Sequence, residues 1–138
     1  LKKVESKIFV LLGDGECDEG IVWESLMSVK NFNLNNITIV VDKNNMQSDG
    51  KKINIMNQED LAMKFISFGF DVTQFDGHDL SAIQAALEVK SSSPKALIAN
   101  TIKGKGVSFM ESNPDWHHGI LNEKLFNESL LSSEKNYG

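Results

Sequence analysis

The sequence predicts an α/β fold, a mostly parallel sheet with flanking helices, on three observations. Short apolar runs alternate with segments of helical periodicity along most of the chain. The first two runs each end in a polar turn, Gly13-Asp14-Gly15 and Asp42-Lys43-Asn44-Asn45-Met46. Between those two runs lies a helix-like segment, so strand, Gly-rich turn, helix and strand follow in the order of a βαβ unit.

Each element has its own justification. Lys7-Ile8-Phe9-Val10-Leu11-Leu12 is nearly continuous in apolar residues and stops at the first glycine, as a buried parallel strand should. Glu19 to Val29 carries Ile21, Val22, Leu26 and Val29 on one helical face. Ile37-Thr38-Ile39-Val40-Val41 is a β-branched strand ending at Asp42. Asn57 to Phe68 reads as a helix bearing Leu61, Met63, Phe65, Ile66 and Phe68, with Asn57 as N-cap and Gly69 as stop. Val72 to Phe75 is a short strand. Asp79 to Lys90 is a helix capped by Asp79, with Leu80, Ile83, Ala86 and Leu87 along one stripe. Ser91-Ser92-Ser93-Pro94 breaks it, and Ala96 to Thr101 is another buried strand. Glycines and Asn113-Pro114 beyond Ile102 predict a loop, followed by a short terminal helix around Leu121 to Leu131. No internal repeat, low-complexity tract or domain linker interrupts the series.

Composition bounds what such a chain can do. Its 138 residues make one domain with room for a real core. A hydrophobic fraction of 41% and a charged fraction of 24% are those of an ordinary globular domain. A net charge of −5 and a pI near 5.1 argue against a nucleic-acid or anionic-membrane surface. The single cysteine, Cys17, cannot form an internal disulfide, which fits a reducing compartment. No run approaches a membrane span and the first residues do not read as a signal peptide. The expectation is a cytoplasmic protein with no nucleic-acid and no membrane partner.

The two polar turns carry the chemistry. In sheets of this kind ligands bind at the carboxyl ends of the strands, and both turns lie at such ends. Magnesium takes oxygen ligands in near-octahedral geometry and commonly bridges substrate phosphates to one or two protein groups. Asp14 can supply a carboxylate oxygen, Asn44 an amide oxygen and Met46 a backbone carbonyl. Gly13 and Gly15 permit a tight turn and let backbone N–H groups approach an anion, and the helix N-terminus that follows adds partial positive charge. One carboxylate, rather than a cluster, suits an ion whose remaining charge is met by a diphosphate.

A GDG that closes on an NN at the end of the next strand resembles the thiamin-diphosphate fingerprint. Further stretches narrow the resemblance to the transketolase family: Glu19-Gly20 with Glu24, Ser48-Asp49-Gly50, Asp76-Gly77-His78-Asp79, and Ile102-Lys103-Gly104-Lys105-Gly106-Val107-Ser108-Phe109-Met110 running into Asn113-Pro114-Asp115-Trp116-His117-His118-Gly119. The similarity covers nearly the whole chain except its last dozen or so residues. It implies a diphosphate-binding type of thiamin-diphosphate fold, with thiamin diphosphate and Mg2+ held by Gly13, Asp14, Gly15, Glu16, Asn44, Met46 and His118. Asp14, Asn44 and Met46 would be the metal ligands. His118 matches the family position whose imidazole reaches the diphosphate and the donor sugar, so it would be catalytic. The implied reaction is transfer of a two-carbon ketol unit from a ketose to an aldose, usually sugar phosphates, in the pentose phosphate branch of carbohydrate metabolism.

The resemblance also implies what else such an enzyme needs. Family members have a longer stretch before the GDG, a separate pyrimidine-binding domain that supplies an activating glutamate, and a further C-terminal domain. The sequence is therefore expected to be the later part of a diphosphate-binding domain: a fragment, a truncated product or one subunit of a split enzyme. It would work with a pyrimidine-binding domain or subunit in a dimer-forming assembly and be inactive alone. In the family, the positions of Glu19 and Glu24 sit at the dimer interface in a carboxylate network, although glutamates on a helix are also commonly solvated.

Alternatives stay open at several residues. Asp14 between glycines also suits a plain turn, and Asn44-Asn45 a loop pair tolerating left-handed conformations. His78 reads as a residue of a capping region, His117 as an extra imidazole with no assigned role. Trp116 and Phe109 read as loop anchors, Lys103 and Lys105 as solvent-facing. The competing functions are another thiamin-diphosphate reaction, such as that of a 2-oxo acid decarboxylase or dehydrogenase component, and a non-catalytic truncated module. A nucleotide-binding Rossmann domain is disfavoured because no G-x-G-x-x-G follows the first strand.

Overall fold

The computed structural model describes residues 6–47, 50–51, 56 and 60–137. Strands β1 (Ile8–Gly13), β2 (Ile37–Lys43), β5 (Asp71–Asp76) and β6 (Lys95–Asn100) form a four-stranded sheet in the order β1-β2-β6-β5. Every neighbouring pair is parallel. Helix α1 (Gly20–Asn31) joins β1 to β2, and α2 (Leu61–Ser67) precedes β5. Helix α3 (Leu80–Glu88) joins β5 to β6, and α4 (Glu123–Tyr137) ends the described chain. The α/β architecture with flanking helices is thus as the sequence predicts.

Two faces of the sheet are built from alternate residues. Ile39 and Val41 of β2 and Ala96 and Ile98 of β6 pack with Leu26 and Val29 of α1 and Leu61, Ala62 and Phe65 of α2. Trp23, Phe65, Phe68 and Phe70 join this layer through ring contacts with centroids 5.4–6.0 Å apart. Leu97 has the opposite parity and is fully buried, on the side where α3 lies against β5 and β6. Cys17 belongs to the core, in a 3-10 turn (Glu16–Asp18) between β1 and α1.

Local signals behave as their chemistry requires, with differences. Asp79 caps α3, its carboxylate accepting the N–H groups of Ser81 and Ala82 at 2.8 and 3.2 Å. Gly69 ends α2 at φ +82°, in the left-handed region that glycine enters without cost. Helix α2 begins at Leu61, capped by Asp60, whose Oδ1 accepts the Met63 N–H at 3.1 Å. Asn57, the expected cap, lies outside the described residues. Ile21 and Leu80, expected on apolar faces, are exposed, as are Met63 and Ile66. The sheet meets α1 and α3 on narrower stripes than their apolar residues alone suggest.

The larger difference concerns β1. An apolar run with no polar alternation predicts a strand covered on both faces, yet Ile8, Phe9, Val10 and Leu11 are 45%, 52%, 38% and 73% exposed. The cause is position: among the described residues β1 pairs only with β2 and forms the sheet edge. Two short strands, β3 (Met46–Gln47) and β4 (Gly50–Lys51), also pair as an antiparallel ribbon. Two residues a strand are too few to leave a periodic signal.

Candidate functional site

The carboxyl ends of β1 and β2 lie side by side, Gly13 opposite Asp42. The ladder continues one residue further, the Asp14 N–H donating to the Asp42 carbonyl at 3.0 Å. This brings the two polar turns together. Asp14 is 2% exposed, and its Oδ2 accepts the Asn45 N–H at 3.1 Å. Asn45 stands at φ +58°, a left-handed conformation that asparagine tolerates. Asn44 Oδ1 accepts the Met46 N–H at 2.9 Å, and Met46 is buried. The left-handed reading of the asparagine pair holds at Asn45, whose N–H meets Asp14, with Asn44 and Met46 on either side of it in the chain.

The Gly13–Gly15 turn is built differently from expectation. Gly15 has φ −67° and ψ −39°, which any residue adopts, so its turn does not require glycine for conformation. The carboxylate of Glu16 folds back and accepts the Gly13 N–H at 2.6 Å, so that side chain closes its own turn. Glu19 precedes α1 as N-cap without a side-chain bond to the helix. Glu19 and Glu24 are exposed.

The loop beyond β6 returns toward this site. Ser112 N–H donates to the Lys103 carbonyl at 2.9 Å, and Glu111 accepts the Gly106 N–H at 3.0 Å while facing Lys105 at 3.8 Å. A second 3-10 turn, Pro114–His117, is capped by Asn113 and packs against β3, next to Met46. The Phe109 and Trp116 rings meet at 5.1 Å, the anchoring role expected of them. His118 follows the turn, exposed, with its ring 4.6 Å from that of His117 and edge-on to it. Gly119 is there because Trp116 is: a Cβ on it would come within 2.4 Å of the indole.

Two further residues tie the loop after β6 to its neighbours. Thr101 donates its hydroxyl to Asp42 and its N–H to the Lys43 carbonyl. His78 Nε2 accepts the Ile102 N–H at 2.8 Å, which ties the β5–α3 turn to the loop after β6. No local pattern marks Thr101, because its partner lies 59 residues away.

The donor set Asp14 carboxylate, Asn44 amide and Met46 carbonyl is all oxygen, the set a hard divalent cation takes. Among the described residues no group of three or more His, Cys, Asp and Glu side chains could hold a metal ion. A soft or imidazole-bound metal therefore has no cage among them. A cleft lined by Lys7, Phe9, Thr38, Leu87 and Lys95 opens at the amino ends of the strands, away from this chemistry. No helix among the described residues is long and apolar enough to cross a membrane.

Comparisons with known proteins give the family and the fold. The family described as "Transketolase, thiamine diphosphate binding domain" matches residues 1–131. One of the subunits of the apulose-4-phosphate transketolase of Phocaeicola vulgatus is 32% identical over 133 residues, which cover 94% of this chain and 47% of that protein. The 6-deoxy-6-sulfo-D-fructose transketolase subunit SqwG of Clostridium sp. is 36% identical over 131 residues, covering 93% and 48%. The chain thus spans about half the length of these curated relatives. Among solved structures, the transketolase of Campylobacter jejuni superposes with a TM-score of 0.87 at 31% identity, over 95% of this chain and 21% of that one.

Proposed function

The chain belongs to the family of transketolase thiamine diphosphate binding domains, and from that premise we propose that it holds Mg2+ and thiamin diphosphate for ketol transfer between sugar phosphates. The observation that carries the metal assignment is the juxtaposition of Asp14, Asn44 and Met46 across two strand ends. A buried carboxylate is costly unless donors or a cation compensate it. The Asn45 N–H supplies one donor, and a cation at Asp14 would supply the countercharge. Two further oxygens would come from Asn44 and Met46, leaving the remaining positions to diphosphate oxygens and water. Relatives named as transketolase subunits favour a second polypeptide or domain as partner, one that completes the cofactor site.

When bound, thiamin diphosphate supplies the electron sink for breaking and making the carbon–carbon bond. The chain's own residues bind and orient. Gly15 presents no side chain on the turn, the Gly13 N–H is taken by the Glu16 carboxylate, and Asp14, Asn44 and Met46 would anchor the metal end. His118, on the loop beside Met46, can donate or accept a hydrogen bond at a phosphate or sugar oxygen.

The test is calorimetric titration of thiamin diphosphate, with and without Mg2+, into the complete protein carrying this chain. Asp14→Ala is expected to abolish Mg2+-dependent binding. Asp14→Asn should do the same, and its melting temperature without cofactor reports whether the fold is kept. Unchanged affinity in both variants would remove the metal assignment.

A further inference from the structure

The metal ligand Asn44 is itself held. Asp42 lies two residues before it at the end of β2, and Thr101 lies one residue past the end of β6. These strands run side by side with Lys43 opposite Asn100. The Thr101 hydroxyl donates to Asp42 Oδ1, and Asn44 Nδ2 donates to Asp42 Oδ2 at 3.4 Å. Both oxygens of Asp42 thus act as acceptors, and the NH2 end of the Asn44 amide faces them. Its Oδ1 therefore points the other way, where it takes the Met46 N–H and has a second lone pair to offer a cation.

Thr101 is oriented in turn by packing. A Cβ placed on Gly77 would stand 2.4 Å from Thr101 Cγ2 and 3.0 Å from Ala99 Cβ. The Thr101 methyl thus lies against the bare Cα of Gly77, and its hydroxyl turns to Asp42. Backbone bonds hold both sides: Gly77 N–H to the Asn100 carbonyl at 2.9 Å, and Thr101 N–H to the Lys43 carbonyl at 3.1 Å.

We propose that Asp42 and Thr101 are positioning residues that fix the Asn44 amide with its oxygen toward the metal. The metal end of the site is then assembled by β6 as well as by β1 and β2. This inference rests on the Mg2+ and thiamin diphosphate reading above. It assigns Asp42 a place behind the ligand: each of its oxygens already accepts a donor from the protein.

The experiment measures Mg2+ affinity at fixed thiamin diphosphate by calorimetry, in the complete protein, together with melting temperature in the absence of both. Removing an outer partner of a metal ligand commonly lowers affinity about 10- to 100-fold, the loss expected for Thr101→Val and Asp42→Asn, whereas Thr101→Ser, which keeps the hydroxyl, should stay within about threefold. Gly77→Ala, which touches neither the carboxylate nor the ligand, should reproduce the loss by displacing Thr101. Melting temperatures of Thr101→Val and Thr101→Ser without cofactor should agree, so that a general loss of fold does not account for the split between them. Full affinity in Thr101→Val overturns the inference. So does a collapse confined to Asp42→Asn, which would make Asp42 a direct ligand. If Asp14→Ala loses binding while Thr101→Val, Asp42→Asn and Gly77→Ala all keep it, the cofactor site stands and this inference falls. No binding by the unaltered protein overturns both.

Discussion

His118 follows a 3-10 turn that packs beside Met46, and its imidazole is exposed next to that of His117. If His118 serves a substrate or phosphate oxygen, its effect separates from that of Asp14 and Asn44. In the complete enzyme, His118→Ala should keep cofactor affinity and lose turnover by the value of one charged or catalytic hydrogen bond, about 2–4 kcal/mol or roughly 30- to 1,000-fold. His117→Ala should be nearly silent. Gly119→Ala should resemble His118→Ala, because a methyl there collides with the Trp116 ring and moves the adjacent residue. Steady-state kinetics at saturating cofactor decide this; a crippled His117→Ala beside a normal His118→Ala would exchange their roles. At this scale the sequence was legible where a short motif carries its own geometry. Asp14 and Asn44 stand at the ends of adjacent parallel strands, so motif and fold predict the same meeting. Thr101 and His78 were not legible as site residues. Their partners, Asp42 and the Ile102 N–H, come from the β2–β6 register and from the path of a loop, neither of which is a pattern in the chain.

Helix α3 shows how a local signal becomes an energetic one. The Ser81 hydroxyl and then the Ala82 and Ser81 amides hold the Asp79 carboxyl below its ordinary value, against a smaller opposing effect of burial. A carboxyl with a folded pKa below its unfolded one stabilises the fold fully above the unfolded value, about 3.9, and loses that contribution as pH falls through the lower folded value. Asp79→Ala should therefore lower the melting temperature at pH 7, and the difference from the unaltered protein should shrink below about pH 4, as the cap protonates. Thermal melts followed by circular dichroism across that range check it; a pH-independent difference would assign the loss to helix propensity alone. The same cap was readable in advance because an Asx cap acts within three residues. The start of α2 was not, since both Asn57 and Asp60 have capping chemistry and only the chain path chooses. For β1 the apolar run correctly indicated a parallel strand, and covering was wrongly inferred from it. Apolar content reports what a strand needs, whereas the neighbours decide whether these residues supply it.

At the scale of the molecule, that unmet need bears on function. Among the described residues β1 has no strand on its outer edge, and its four residues from Ile8 to Leu11 are 38–73% exposed. Phe9 also borders the cleft whose other wall includes Leu87. Unpaired, flat apolar edges recruit further strands or other chains. The chain matches about half the length of its curated relatives, so more polypeptide is available in such proteins to cover this edge. The cofactor site proposed above lies at the opposite, carboxyl ends of the strands and is proposed to be completed by a second polypeptide or domain. Residues 1–138 purified alone are therefore expected to self-associate through the β1 edge and to show no ketol transfer above blank in a coupled assay. Leu11→Lys, at the most exposed residue of the strand, should suppress the association by charging the edge. Sedimentation velocity of both forms, run beside the activity assay, separates the two expectations. A monodisperse monomer would show that the edge is tolerated in water, and turnover by the chain alone would show that the site needs nothing beyond these residues.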